Sequence, residues 1–228
     1  MRIAEIYKSI QGEGSLTGVP SVFVRTSGCN LRCWFCDTPH TSWRPEGRDL
    51  PVDAIVAAVE QWDIAHVVVT GGEPMLYAEL IPLSRALREL RRHVTIETAG
   101  TLALPVECDL MSISPKLAAS APSGETHPRW RRRHLRDCYR PDVIASLLAE
   151  YEYQLKFVVD QIDDVEATAD YLCQFPQVDA WRVWLMPQGR TAAEVAQRED
   201  WASQEARRRG WNYCARKQLE WFGAARCT

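Results

Sequence analysis

Cys29-Asn30-Leu31-Arg32-Cys33-Trp34-Phe35-Cys36-Asp37-Thr38 is the stretch whose reading decides the fold. Three thiols separated by three and then two residues can converge from one loop onto one metal centre. A four-iron cube held by only three cysteines keeps one iron open to a substrate or cofactor. His40, four residues after Cys36, keeps a second reading available: a closed Cys3His zinc knuckle. The two readings part on what surrounds the loop. A zinc knuckle asks nothing of the rest of the chain, whereas an open iron needs a cavity and other loops to hold what binds there.

Outward from the loop, short apolar, β-branched runs at 21–25, 66–70, 93–98, 109–114, 153–159 and 181–186 predict strands. Amphipathic segments at 52–62, 77–92, 141–150, 163–175 and 192–209 predict helices between them. Near-continuous hydrophobic strands alternating with helices predict a parallel sheet covered by helices. Six such units on this length predict an α/β fold, a partial (β/α)6 barrel in one domain spanning 1–228, with a doubly wound open sheet as the alternative. In either architecture reactive groups gather at the C-terminal ends of the strands. Five polar, turn-forming loops fall there: the Cys29 loop and residues 70–74, 97–101, 114–116 and 186–189. Two regions stand outside the pattern. Residues 1–20 read as an N-terminal loop containing Ser9-Ile10-Gln11-Gly12-Glu13-Gly14. Residues 118–140, with Arg131-Arg132-Arg133, read as a basic insertion or short surface helix with a solvated face.

Composition narrows the class. The 228 residues carry 46% hydrophobic and 25% charged side chains, which suits one globular core. A net charge of −3 gives no reason to expect nucleic acid or an anionic membrane as main partner. No apolar run approaches the roughly 18 residues of a bilayer span. The start, Met1-Arg2-Ile3-Ala4-Glu5, lacks a targeting pattern, so a cytoplasmic location is expected. Of the eight cysteines, Cys108, Cys138, Cys173, Cys214 and Cys227 are scattered and read as incidental thiols. Arg25 is a charge inside an apolar strand, expensive unless paired. It binds a carboxylate bidentately at the barrel mouth or forms half of an internal salt bridge, and both stay open. Gly71-Gly72, directly after a strand, lets backbone approach a ligand without a Cβ in the way.

The pattern Cys29-x3-Cys33-x2-Cys36, with Phe35 before the last cysteine, resembles the signature of the radical S-adenosylmethionine (SAM) superfamily. Thr70-Gly71-Gly72-Glu73-Pro74 is similar to that superfamily's second motif, which meets the methionine amino group. Ile10-Gln11-Gly12-Glu13-Gly14, Arg25, Cys36-Asp37-Thr38 and Ser114-Pro115-Lys116 narrow the resemblance to the 7-carboxy-7-deazaguanine synthase family of the queuosine and 7-deazapurine pathway. Residues 118–140 depart from a minimal member.

The resemblance implies a lyase that holds a [4Fe–4S] cluster on Cys29, Cys33 and Cys36. The cofactor SAM would be lined by Phe35, Cys36, Asp37, Gly72, Ser114, Pro115, Lys116, Met186, Pro187, Gln188 and Gly189. Its substrate, 6-carboxy-5,6,7,8-tetrahydropterin, would meet Ile10, Gln11, Gly12, Arg25 and Thr70, with Glu13 close by. A 5′-deoxyadenosyl radical starts the ring contraction that releases ammonia, so no side chain is expected to act as general acid or base. The resemblance also implies Mg2+, for which Thr38 supplies a hydroxyl ligand, a donor such as flavodoxin or ferredoxin, and a homodimer. A glycyl-radical activase is the alternative enzyme, sharing the cluster loop but needing neither the Ser9–Gly14 loop nor Arg25. Residues 211–222 read as a closing strand and turn whose parallel run would bring the Thr228 carboxylate to the pterin.

Overall fold

The protein is described by a computed structural model covering residues 1–223 and 225–227. Among the described residues, nine strands form one sheet. β1 (Arg2–Ile10) lies antiparallel between β2 (Pro20–Thr26) and the two-residue β3 (Arg48–Asp49). From β2 the sheet runs parallel through β4 (His66–Gly71), β5 (His93–Thr98), β6 (Leu110–Ile113), β7 (Tyr153–Val159), β8 (Val183–Pro187) and β9 (Asn212–Tyr213). Helices α1 (Val52–Glu60), α2 (Leu80–Glu89), α3 (Pro128–Asp137), α4 (Pro141–Glu150), α5 (Ile162–Leu172) and α6 (Ala192–Arg209) supply the crossovers, and α7 (Lys217–Phe222) follows β9. Among the described residues, only the β5–β6 connection crosses without a helix.

Strand alternation sorts the side chains into two layers. Val22, Val24, Val67, Val69, Val94, Ile96, Met111, Ile113, Leu155 and Phe157 are fully buried beneath the helices. Their neighbours one residue on, among them Arg25, Thr70, Glu97, Ser112 and Lys156, face a cavity on the other side. The sheet therefore buries apolar residues outward and presents polar ones inward. Long-range bonds across that inner side reveal its curvature. Ser15 N donates to Gln154 Oε1 at 2.9 Å, joining the β1–β2 connection to β7. In the sheet order β7 lies four strands from β2, about 19 Å away if flat. The sheet must curl for the two to touch, which makes it a partial barrel rather than an open doubly wound sheet.

Three expectations need correction. Residues 1–20 are no simple loop: Arg2–Ile10 is the longest strand, and only 11–19 turn back as a loop. The tail expected as a closing strand at 211–222 pairs over just Asn212–Tyr213 and then turns helical, because Arg216 adopts a left-handed backbone (φ 50°) that breaks the strand. The segment expected as helix from 77 begins at Leu80, since Pro74 starts a separate short turn of helix over Pro74–Leu76. Predicted strands at 93–98 and 153–159, and helices at 141–150 and 192–209, match the observed bounds.

Candidate active site at the barrel mouth

The Cys29 loop leaves β2 at the C-terminal rim and lies along a cavity of about 520 Å3. All three of its cysteines are free, partly buried and line that cavity. Burial, followed by nearby Glu73, pushes the Cys29 thiol up to about 12. Burial likewise pushes Cys33 to about 12, against the pull of Lys116. A coordinating metal deprotonates a thiol outright, so this burial does not bar the cysteines from serving as ligands. His40 does not join them: its Nε2 lies 3.4 Å from Glu5 Oε1. Among the described residues no three His, Cys, Asp or Glu side chains are arranged around a single ion. Without His40 the loop does not make a Cys3His knuckle, and three cysteines on one loop are a donor set that fits a cluster with one open iron.

The second motif packs against the first. Gly72 N donates to Thr26 O at 3.1 Å, and Glu73 N to Gly28 O at 2.8 Å. A Cβ on Gly72 would overlap the Gly28 carbonyl, and one on Gly71 (φ 129°) the Thr26 carbonyl. The two glycines are therefore required by loop-against-loop contact, and Gly72 still borders the cavity. Glu73 turns inward, fully buried, and accepts from Ala99 N (2.8 Å), Thr98 Oγ1 (2.8 Å) and Met75 N (3.1 Å). Burial raises its pKa despite these bonds. It ties the end of β4 to the end of β5.

A chain of alternating charge crosses the mouth from wall to wall. Thr70 Oγ1 donates to Glu97 Oε2 (2.8 Å), and Glu97 Oε1 lies 2.6 Å from Lys156 Nζ. Lys156 also reaches Glu13 Oε2 at 3.1 Å. Glu13 Oε1 accepts from Gln218 Nε2 (2.6 Å) and Arg216 Nε (3.3 Å), and Arg216 Nη2 meets Asp37 Oδ2 at 2.5 Å. Burial opposes the Glu13 charge, but Lys156 and Arg216 outweigh it and hold the carboxyl down to about 2. Burial likewise opposes the Lys156 charge, yet Glu97 and Glu13 raise its pKa. Each buried charge is paired, as the low dielectric demands.

Arg25 resolves toward the internal pair in this structure. Its Nε lies 3.1 Å from Glu5 Oε2, and its Nη2 donates to Tyr7 Oη at 2.7 Å. Both partners stand on β1 opposite, and all three side chains border the cavity. Arg226 also holds Glu5, through Oε1 at 2.7 Å, which draws the segment 225–227 over the mouth.

The cavity is bordered by Ile10, Gln11, Gly12, Glu13, Arg25, Phe35, Asp37, Thr38, Thr70, Gly72, Ser114, Lys116, Met186 and Gln188, as the sequence anticipates. Lys116 Nζ donates to Ser114 O (2.6 Å) and Oγ (2.5 Å). Pro115 faces a separate recess of about 220 Å3 beside Trp34 and Phe35. Pro187 ends β8 and Gly189 offers its carbonyl to Arg216, so neither borders the main cavity. Thr38 stands 3.8 Å from Cys36 Sγ and accepts from Thr41 Oγ1 at 3.4 Å. Thr228 lies outside the described residues. The sequence does not single out Glu5, Tyr7, Lys156, Arg216 or Gln218, and it places Glu97 on the rim without giving it a partner. For Lys156 a signal existed, a charge inside an apolar strand like that of Arg25.

The basic insertion buttresses the cluster loop. His134, fully buried on α3, accepts Arg32 N at Nδ1 (3.1 Å) and contacts Ser120 Oγ through Nε2 (2.9 Å). Trp34 N donates to Ser120 O (3.1 Å), and its Nε1 to Ala119 O (3.0 Å). Arg32 stacks over Trp130 at 4.1 Å. Burial lowers the His134 pKa to about 4, keeping the ring neutral so that Nδ1 can accept. The expectation of a purely solvated segment is corrected here: one face of α3 is solvated, the other grips the ligand loop.

The Radical SAM superfamily model matches residues 23–140, just over half of the chain. A 7-carboxy-7-deazaguanine synthase from Rhodopirellula baltica is 44% identical over 227 residues, covering 99% of this chain and 88% of the relative. The chain belongs to the 7-carboxy-7-deazaguanine synthase family. A second family member, from Halobacterium salinarum, is 44% identical over 226 residues, covering 94% of this chain and 87% of its own length. The crystal structure of QueE from Escherichia coli shares the fold, with a TM-score of 0.69 at 24% identity over 93% of this chain and 92% of that one. As a 7-carboxy-7-deazaguanine synthase family member, the chain is an enzyme of the radical SAM type, using a [4Fe–4S] cluster and SAM. Among the described residues, no helix is long and apolar enough to cross a membrane.

Proposed function

We propose that the chain converts 6-carboxy-5,6,7,8-tetrahydropterin to 7-carboxy-7-deazaguanine with release of ammonia, in queuosine and 7-deazapurine biosynthesis. One observation carries the reading: a single cavity joins three partly buried cysteines to a wall of paired polar side chains. A site of about 520 Å3 falls within the roughly 300–1,000 Å3 of small-molecule pockets. Cys29, Cys33 and Cys36 would hold the cluster, with Phe35, Cys36, Asp37, Gly72, Ser114, Lys116, Met186 and Gln188, the anticipated residues that border the cavity, around the SAM. Cluster and SAM together supply a 5′-deoxyadenosyl radical when bound. The chain's own part is to orient the pterin and exclude water.

Lys116, close to Cys33, offers a cation for a carboxylate. Gln11, held by Ser21 at 2.8 Å, and Thr70, held by Glu97, offer neutral hydrogen-bonding groups to the pterin ring. Arg25 would give its guanidinium to the substrate carboxylate by exchanging Glu5 for it, a planar two-point contact that lysine would not reproduce. Thr38 would give one oxygen to Mg2+, which keeps most of its waters and needs only one or two protein ligands. We further assign a flavodoxin or ferredoxin as electron donor, a homodimeric state and a cytoplasmic location, supported by the family resemblance.

The test is anaerobic turnover with reconstituted cluster, dithionite, SAM, Mg2+ and 6-carboxy-5,6,7,8-tetrahydropterin. Product accumulation with equimolar ammonia is expected. SAM cleavage without any 7-carboxy-7-deazaguanine would overturn the reading.

A further inference from the structure

The basic segment at 118–140 has no role in the cavity, yet it carries the strongest charge contrast in the chain. It holds six arginines against Glu125 and Asp137, a balance of +4. Setting those aside from the chain's 27 basic and 30 acidic residues leaves −7 on everything else. Five of the arginines stand on α3: Arg129, Arg131, Arg132, Arg133 and Arg136, all exposed. Asp137 pairs with Arg133 (3.5 Å) and Arg136 (2.6 Å). Arg129 and Arg132 have no carboxylate partner among the described residues. A concentrated patch acts within a Debye length of about 8–10 Å, so it outweighs the diffuse negative remainder at close range.

The patch is not a detached surface. It is joined to the cluster loop by the Arg32 N–His134 Nδ1 bond and by both hydrogen bonds from Trp34. Trp34 follows Cys33 directly and is 44% exposed, and Leu135 on α3 is 37% exposed. An exposed tryptophan bonded to the segment that leads into an arginine-bearing helix supplies the residue types enriched in binding hot spots. Solvated arginines alone would need no such attachment to the loop that carries the cluster ligands.

We propose that α3 and Trp34 form the docking face for the electron donor, a small acidic protein carrying a one-electron flavin or iron–sulfur group. The inference rests on the functional reading above, because that chemistry needs one electron from outside. The donor's redox group loses that electron and the enzyme gains it, with no bond made to the surface. Redox encounters of this kind bury less than about 1,200 Å2 and are steered by charge, so a ten-residue helix with an adjacent tryptophan is of suitable extent.

The test uses the cluster-loaded enzyme and the double variant Arg129→Glu, Arg132→Glu, neither position touching the cavity. Binding of oxidised flavodoxin is measured directly, between about 20 and 500 mM salt, and independently of turnover. The parent should bind with an affinity that falls steeply with salt. The variant should bind at least tenfold more weakly at low salt and converge with the parent at high salt. With dithionite in place of flavodoxin, parent and variant should turn over alike. Flavodoxin affinity that is unchanged by the reversal, or insensitive to salt, overturns the proposal. So does a reversal that alters only the binding of a short RNA duplex, which would make the patch a nucleic-acid surface. Because docking is read by binding, failure of the dithionite reaction to yield product would count against the functional reading and leave the docking result standing.

Discussion

Replacing Glu13 by glutamine keeps the shape of the central link in the charge chain and removes its charge. In the parent, Lys156 and Arg216 both face that carboxylate, and its pKa falls from 4.5 to about 2. That difference corresponds to roughly 3 kcal/mol at neutral pH, at about 1.4 kcal/mol per tenfold. Solvent reaches part of the side chain, 20% exposed, which brings the expected loss to about 2 kcal/mol. For a chain of this length that is a drop of roughly 4–8 °C in Tm. The sign follows from the direction of the shift: a depressed carboxylate stabilises the fold above its unfolded value and loses that effect as acid protonates it. The gap between parent and Glu13→Gln should therefore be full at pH 7 and shrink between about 4.5 and 2. Denaturant unfolding of the cluster-free chain at pH 7 and pH 3 measures it. A gap of equal size at both pH values, or no gap at pH 7, would refute the claim that Glu13 acts as a buried anion.

Gly72→Ala should cost more than about 3 kcal/mol or abolish folding, since its Cβ would overlap the Gly28 carbonyl, and a parent-like melting curve would contradict the packing. His134→Leu should strand the Arg32 N–H at a cost of about 1–3 kcal/mol and shorten the cluster's lifetime in air, followed by its visible absorbance. His134→Asn, which can still accept that bond, should recover part of the loss. Thr38→Ala should abolish magnesium stimulation while leaving SAM cleavage intact, and Thr38→Ser should keep most of it; an alanine variant still fully stimulated would exclude the site.

What was legible followed physical range. Strands 93–98 and 153–159 alternate Val94 and Ile96, or Leu155 and Phe157, on the helix side with polar residues between them, so the strand period shows in the sequence. The rim loops were legible because each ends a parallel strand. β1 is hard to read although Ile3, Glu5, Tyr7 and Ser9 alternate with Ala4, Ile6, Lys8 and Ile10: its mixed polarity, usual in antiparallel strands, resembles that of a loop. Arg25 stood out as a charge amid valines, and the same argument applied to Lys156 at the centre of β7 would have found the charge chain. Arg216 gave no such sign. It sits in a polar turn, and its carboxylate Asp37 lies 179 residues away, a pairing no local pattern carries.

That separation sets a timetable for biosynthesis. Asp37 emerges from the ribosome long before Arg216, and at about 5–20 residues per second the interval over those 179 residues is roughly 9–36 s. Throughout it the cysteine loop exists while its salt link to Arg216, across the cavity mouth, does not. A nascent chain therefore presents its ligand thiols from an unsealed cradle, and arrival of the segment around Arg216 is the step that closes it.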